Sequence, residues 1–259
     1  MFHGWRMVGV TFVTLFVSVG FVFYSYGLFV LSLARELGQS RFLTSLGVSF
    51  MNGAIAFLAP WLGRAVDTMS IRNVMMTGGI MMFVGFVMAS QITAIWQFIF
   101  LLGTVLGGGV ALIGQLPSST LVSNWFVRRR GMALGIATMG VSASGVAMPP
   151  LTTWLISSFG WRQTFLMYGV LSAAIVVPLV WLTVVNRPED VGQLPDGDTE
   201  PPPDPQGDTS HPHALGLTRL TATSMLLNRD FWGIGMSVAL CFFAMSAVLV
   251  HTVPMSVDR

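Results

Sequence analysis

Few side chains in this sequence are equipped for chemistry, because long apolar runs dominate it and those runs are nearly empty of reactive groups. Tyr24, Asn52 and Gln115 stand inside such runs, and His251 closes the last of them. Their hydroxyl, amide and imidazole groups suit hydrogen bonding to a small ligand, and equally suit interhelical hydrogen bonds or an interfacial aromatic belt. Covalent chemistry has thinner support. A serine in Gly140-Val141-Ser142-Ala143-Ser144-Gly145 would need a base within hydrogen-bond reach, and the one histidine near a run, His251, sits at its end. The single Cys241 excludes an internal disulfide, and no metal or cofactor is expected. Residues 7–34, 42–63, 73–127, 131–161, 163–186 and 231–250 contain no Asp, Glu, Lys, Arg or His. Intramembrane charges mark proton relays and ion paths, so these runs carry no charge-handling machinery of their own.

The elements that must position these groups follow from composition. Of 259 residues, 53% are hydrophobic and 9% charged, which suits lipid better than water. A bilayer core about 30 Å thick needs roughly 20 apolar residues per helix. Spans are expected over 8–31, 43–63, 73–90, 95–121, 131–156, 164–186 and 231–250, giving an all-α multi-pass membrane protein. The first run is too long to be a cleaved secretory signal. All 13 basic residues are arginine. Placing the N-terminus in the cytoplasm puts Arg6, Arg64, Arg72, Arg128, Arg129, Arg130, Arg187, Arg219 and Arg229 inside and only Arg35, Arg41, Arg162 and Arg259 outside, as the positive-inside rule asks. A net charge of +2 with no lysine gives no nucleic-acid surface.

Three regions are expected: a six-helix bundle over 1–186, a disordered acidic Pro-rich cytoplasmic linker over 187–220, and an interfacial segment with a seventh span over 221–259. The linker holds seven acidic residues and seven prolines and cannot bury enough apolar surface to fold. Between spans, Gly103 and Gly107, and likewise Gly131 and Gly135, form small-residue faces that let helices approach. Pro149 and Pro150 are candidate hinges. On the first span Gly20, Tyr24 and Gly27 share an α-helical face.

Two loop motifs point to a family. Gly63-Arg64-Ala65-Val66-Asp67-Thr68-Met69-Ser70-Ile71-Arg72 resembles the major facilitator superfamily signature G-x-x-x-D-R-x-G-R-[RK], with Thr68 and Ser70 in place of Arg and Gly. Trp125-Phe126-Val127-Arg128-Arg129-Arg130-Gly131-Met132-Ala133-Leu134-Gly135-Ile136, with Gly160-Trp161-Arg162 further on, resembles the W-F-x-x-R-R-G-x-A-x-G-I…G-W-R pattern of its monocarboxylate and oxalate:formate branch. Glu36-Leu37-Gly38 and Arg187-Pro188-Glu189-Asp190-Val191-Gly192 are similar to further blocks of that branch.

The resemblance implies a secondary transporter of small organic anions in the plasma (inner) membrane. Two six-helix halves would rock about a midplane site, embedded in membrane lipid, with a coupling proton or counter-anion. It implies that Gly63, Asp67, Arg72, Arg128, Arg129 and Arg130 form a cytoplasmic latch, and that Tyr24, Asn52, Gln115 and His251 are candidate substrate contacts. Animal members carry a first-span lysine; here Tyr24 or Ser25 occupies that region. Twelve helices are implied where seven are present, so a C-terminally truncated chain lacking helices needed for activity is expected. A non-transporting membrane scaffold or sensor, and an intramembrane hydrolase, are the alternatives.

Overall fold

The computed structural model describes residues 2–37, 41–198, 228–233, 235–237, 240 and 241. The chain divides into two units at Pro201 and Pro202, and the described residues of the first form six long helices. Helix α1 (4–37) is α-helical over Gly4–Val19, opens into a π turn over Gly20–Tyr24, and resumes over Ser25–Leu37. Helix α2 is Arg41–Thr68, and α3 is Ile71–Ser90. Helix α4 (95–125) is interrupted twice: by a π turn over Leu102–Leu106 and by Gly114, after which Gln115–Trp125 continues. Helices α5 (130–159) and α6 (161–183) meet at Gly160, whose φ of 80° and ψ of 163° break the run Arg130–Thr183.

Each interruption has a local cause. Pro117 lacks the N–H that would bond the carbonyl four residues back, and α4 breaks just upstream at Gly114. A Cβ at Gly114 would lie 2.5 Å from the Val110 carbonyl oxygen. Gly160 occupies backbone space that L-residues other than glycine rarely enter, which makes the tight turn from α5 to α6. Helices α3 and α6 are joined end to end by Asn186, whose Oδ1 accepts the Arg72 N–H at 3.3 Å and so caps α3.

Packing is organised by small residues. Gly140 on α5 lets the backbone of Phe12 on α1 so close that a Cβ would collide with its carbonyl. Gly78 and Gly109 bring α3 onto α4, and Gly79 meets Val176 of α6 at 3.0 Å from an added Cβ. Between α1, α3, α4 and α6 lies an aromatic core. Phe29 stacks on Phe165 at 4.0 Å, Phe21 on Tyr168 at 4.4 Å, and Phe86 and Phe98 close the cluster. Outward, Phe57, Trp61, Trp96, Trp154 and Trp181 are more than half exposed. An apolar exterior of that extent belongs against lipid. Four helical stretches, Gly4–Leu33, Ile71–Ser90, Ile95–Trp125 and Arg130–Thr183, are long and apolar enough to cross a membrane, the last being the two helices joined at Gly160.

The seventh expected span is represented by residues 231–233, 235–237, 240 and 241, all helical. His251, and all but the end of the interfacial segment, fall outside the described residues. The expected linker does not begin at 187. Residues 188–198 fold as two short 3-10 turns, Pro188–Val191 and Pro195–Gly197, against the end of the bundle. Acidity and proline read as disorder from composition, yet here the carboxylates cap backbone. Asp196 accepts the N–H groups of Val127, Arg128 and Arg129 at 2.9, 2.7 and 3.2 Å.

Candidate functional site

The bundle has two charged ends and a charge-free middle. At the arginine-rich end, the Asp67 motif lines a polar cleft of about 440 Å³ with Thr120, Asn124, Asn186 and Arg187. The expected latch is wired differently from its expectation. Asp67 is exposed and, among the described residues, makes no ion pair. Arg72 turns to the end of α6 and donates from Nε to the Val184 carbonyl at 2.8 Å. Arg128 pairs with Asp198, while Arg129 and Arg130 are exposed. An added Cβ at Gly63 would meet nothing within 4 Å. Asp196 sits in a nest of three backbone N–H groups. Desolvation raises its carboxyl, but those bonds and the Arg128 charge outweigh it and hold the group below the ordinary value.

At the opposite end, Glu36 closes α1 and binds both residues that follow Gly160. It accepts the Trp161 indole N–H and pairs with Arg162 at 2.5 Å. Arg162 also donates to the Ile92 carbonyl at 3.2 Å and lies over the Trp161 ring at 4.2 Å. Three elements meet at Arg162: α1 through Glu36, the turn after α3 through the Ile92 carbonyl, and the α5–α6 corner that carries it. The Trp161 bond foremost, then Arg162, holds Glu36 below its ordinary value. These residues were legible in sequence as motif letters; their mutual contact was not.

In the middle, Tyr24 is 41% exposed beside α5, so close to Gly145 that a Cβ there would lie 2.9 Å from Tyr24 Cζ. Asn52 on α2 and Gln115, at the first position after the α4 break, are also exposed. The shared face expected for Gly20, Tyr24 and Gly27 does not survive the π turn. Gly20 is buried against Ser144 and Met148, Tyr24 faces out, and an added Cβ at Gly27 would meet nothing within 4 Å.

Other packing expectations divide. Gly103 faces Phe50, and Gly107 faces Met51 at 3.1 Å from an added Cβ. Gly131 and Gly135 have nothing within 4 Å of an added Cβ, so they are not a packing face within this bundle. Helical backbone runs through Pro149 and Pro150, and the break falls at Gly160 instead. A hinge at the proline pair is therefore not visible in the helix geometry.

Sequence reading missed a buried hydroxyl cluster. Ser25, Thr152 and Tyr168 are fully buried and bond one another: Ser25 to Thr152 at 2.8 Å, Ser25 to Tyr168 at 3.4 Å, and Thr152 to Tyr168 at 2.5 Å. The available signal was three hydroxyls in otherwise apolar runs, on three different helices.

Helices of this kind, small-residue contacts and motif loops at one end match a known pattern across the chain: the model of the Major Facilitator Superfamily covers residues 11–258. The chain belongs to the major facilitator superfamily. Within this superfamily of membrane transporters it falls in the monocarboxylate-transporter-like branch. It is 31% identical to Monocarboxylate transporter 13 of Rattus norvegicus over 163 residues, which is 62% of this chain and 37% of the relative. Identity to human Monocarboxylate transporter 11 is 28% over 263 residues, 99% of this chain and 50% of the relative. A Galacturonate transporter of Dickeya chrysanthemi is 32% identical over 130 residues, 49% of this chain and 36% of that protein. The chain thus spans half or less of the length of these relatives. Relatives of this kind are transporters and not enzymes, which removes the hydrolase reading of the Ser142–Ser144 stretch; the Ser144 hydroxyl itself donates to the Val141 carbonyl at 2.7 Å.

Proposed function

We propose that the protein carries a small organic anion across the membrane by alternating access, as a secondary transporter. One observation carries the substrate class. The relatives named for monocarboxylates and the one named for galacturonate share a single chemical feature, a carboxylate. The substrate is therefore a mono- or dicarboxylate of small size, moved with a proton or against a counter-anion.

In this reading Tyr24, Asn52 and Gln115 are the bundle's contacts to the substrate, with His251 a fourth candidate on the seventh run. They supply hydrogen bonds and no positive charge. A desolvated carboxylate requires a cation or several donors. Asn52 and Gln115 amides together with the Tyr24 hydroxyl give donors on three helices, and the balancing cation belongs to another part of the protein. The arginine-rich end is the cytoplasmic one, by the positive-inside rule, and the membrane is the plasma or inner membrane. The Asp67 cleft there is the latch region, closed in other conformations by Arg128, Arg129 or Arg130.

Uptake by the full protein in proteoliposomes tests this, with labelled lactate and galacturonate as probes. Saturable uptake of one probe is expected, driven by an imposed pH or counter-anion gradient and competed by free carboxylates but not by their methyl esters. Uptake that ignores the carboxylate, or its absence under every gradient, overturns the proposal.

A further inference from the structure

The π turn in α1 decides which side chain faces outward, and the buried hydroxyl cluster holds that turn. In an uninterrupted α-helix, position 24 stands on the face of position 20. Gly20 is buried against α5, where an added Cβ would meet Met148 Cγ at 2.7 Å and Ser144 Cβ at 2.8 Å. Straight α geometry would therefore swing Tyr24 toward that crowded contact. The π turn adds one residue, which rotates everything beyond it by about 100°. Ser25 takes the place instead. Its N–H bonds the Gly20 carbonyl, its side chain is fully buried, and Tyr24 is left outside.

A π turn is rarer and less favourable than an α turn, so something must support it. The hydroxyl protons show what does. Carbonyls only accept, so Ser25 must donate to the Gly20 oxygen at 2.9 Å and Thr152 to the Met148 oxygen at 2.6 Å. Each hydroxyl has one proton. The only proton left for the contacts among the three oxygens is that of Tyr168. It bonds Thr152 Oγ1 at 2.5 Å and reaches Ser25 Oγ at 3.4 Å. Without it, the Ser25 and Thr152 hydroxyls, 2.8 Å apart, keep a hydrogen bond to each other only if one of them turns its proton away from the backbone carbonyl it holds.

We propose that Tyr168 and Thr152 are positioning residues that lock α1 in the π register and thereby present Tyr24 on the open face of the bundle. Neither touches the substrate. The functional weight of this rests on the reading of Tyr24 as a substrate contact; the register itself does not.

The test is made on the full chain carrying Cys241→Ser and Tyr24→Cys, in proteoliposomes, with a membrane-impermeant maleimide. Cysteine at position 24 is expected to label. Adding Tyr168→Phe, which keeps the ring that stacks on Phe21, or Thr152→Val should slow labelling about tenfold. Thr152→Ser, which restores the hydroxyl, should return the rate to the starting value. Ser25→Ala removes only the hydroxyl and provides an independent arm with the same expected loss. Equal labelling in all backgrounds overturns the proposal, and so does failure of position 24 to label without the second substitution. Uptake separates the two claims: if Tyr24→Phe leaves the KM for the carboxylate probes unchanged while labelling shifts as described, the register stands and the substrate role of Tyr24 falls.

Discussion

Glu36 shows how much one side chain can be asked to hold. Its carboxylate is half exposed, yet it is gripped by the Trp161 N–H and by Arg162. A carboxyl held below its ordinary value stabilises the fold fully above that value, near 4.5, and loses this as pH falls through the folded-state value. Thermal unfolding in nanodiscs should show wild type above Glu36→Gln by a constant margin above about pH 5.5, closing at lower pH. A margin independent of pH would mean that the carboxylate charge is idle. Near the middle of the bundle, Gly145→Ala would place a Cβ against the Tyr24 ring. That ring is a movable side chain on an open face, so the fold should persist while KM for the carboxylate probe rises about three- to tenfold, a shift of order 1 kcal/mol. Tyr24→Phe should raise KM in the same direction.

Among the helices, the same residue type does opposite things according to what lies opposite. Gly140 meets the backbone of Phe12 and cannot yield, whereas Gly135 on the same helix meets nothing. Gly140→Ala should abolish monodisperse protein on size exclusion, and Gly135→Ala should change thermal stability by no more than about 0.5 kcal/mol. Equal effects would contradict the α1–α5 contact. At the α5–α6 corner, Gly160→Ala must force an alanine into φ of 80°, at a cost of about 1–3 kcal/mol. Pro149→Ala, where the helix is unbroken, should cost less. Sequence spacing names such glycines without saying which of them meets a neighbour: Gly103 and Gly107 do, Gly131 and Gly135 do not. A glycine permits an approach; only the neighbouring helix makes one.

Taken whole, the bundle is tied at its arginine-rich end by a segment that composition assigns to a linker. Asp196 caps the loop before α5, and Asp198 pairs with Arg128. The Asp196→Asn, Asp198→Asn double substitution should free that loop, read as faster amide hydrogen exchange over residues 126–130. Deleting 199–212, beyond these contacts, should leave uptake unchanged, as expected of a tether; loss of uptake would show that the acidic stretch does more than tether.

Apolar run length, the absence of charge within the runs and the loop motifs established a multi-pass helical membrane protein and its family from the sequence alone, because the bilayer imposes span length and backbone satisfaction on each segment separately. Those constraints are local, so they are written in consecutive residues. What the tertiary structure decided is non-local. Tyr24 and Ser25 are adjacent letters with similar claims on the centre of the bundle, and a one-residue π insertion sends one outward and the other into a buried cluster with Thr152 and Tyr168. Glu36 finds Arg162 across 126 positions, and Arg72 finds the end of α6 instead of Asp67. Helical periodicity predicts a face only while the helix stays α, and partners only where another helix supplies them; both depend on packing between segments that no single run encodes.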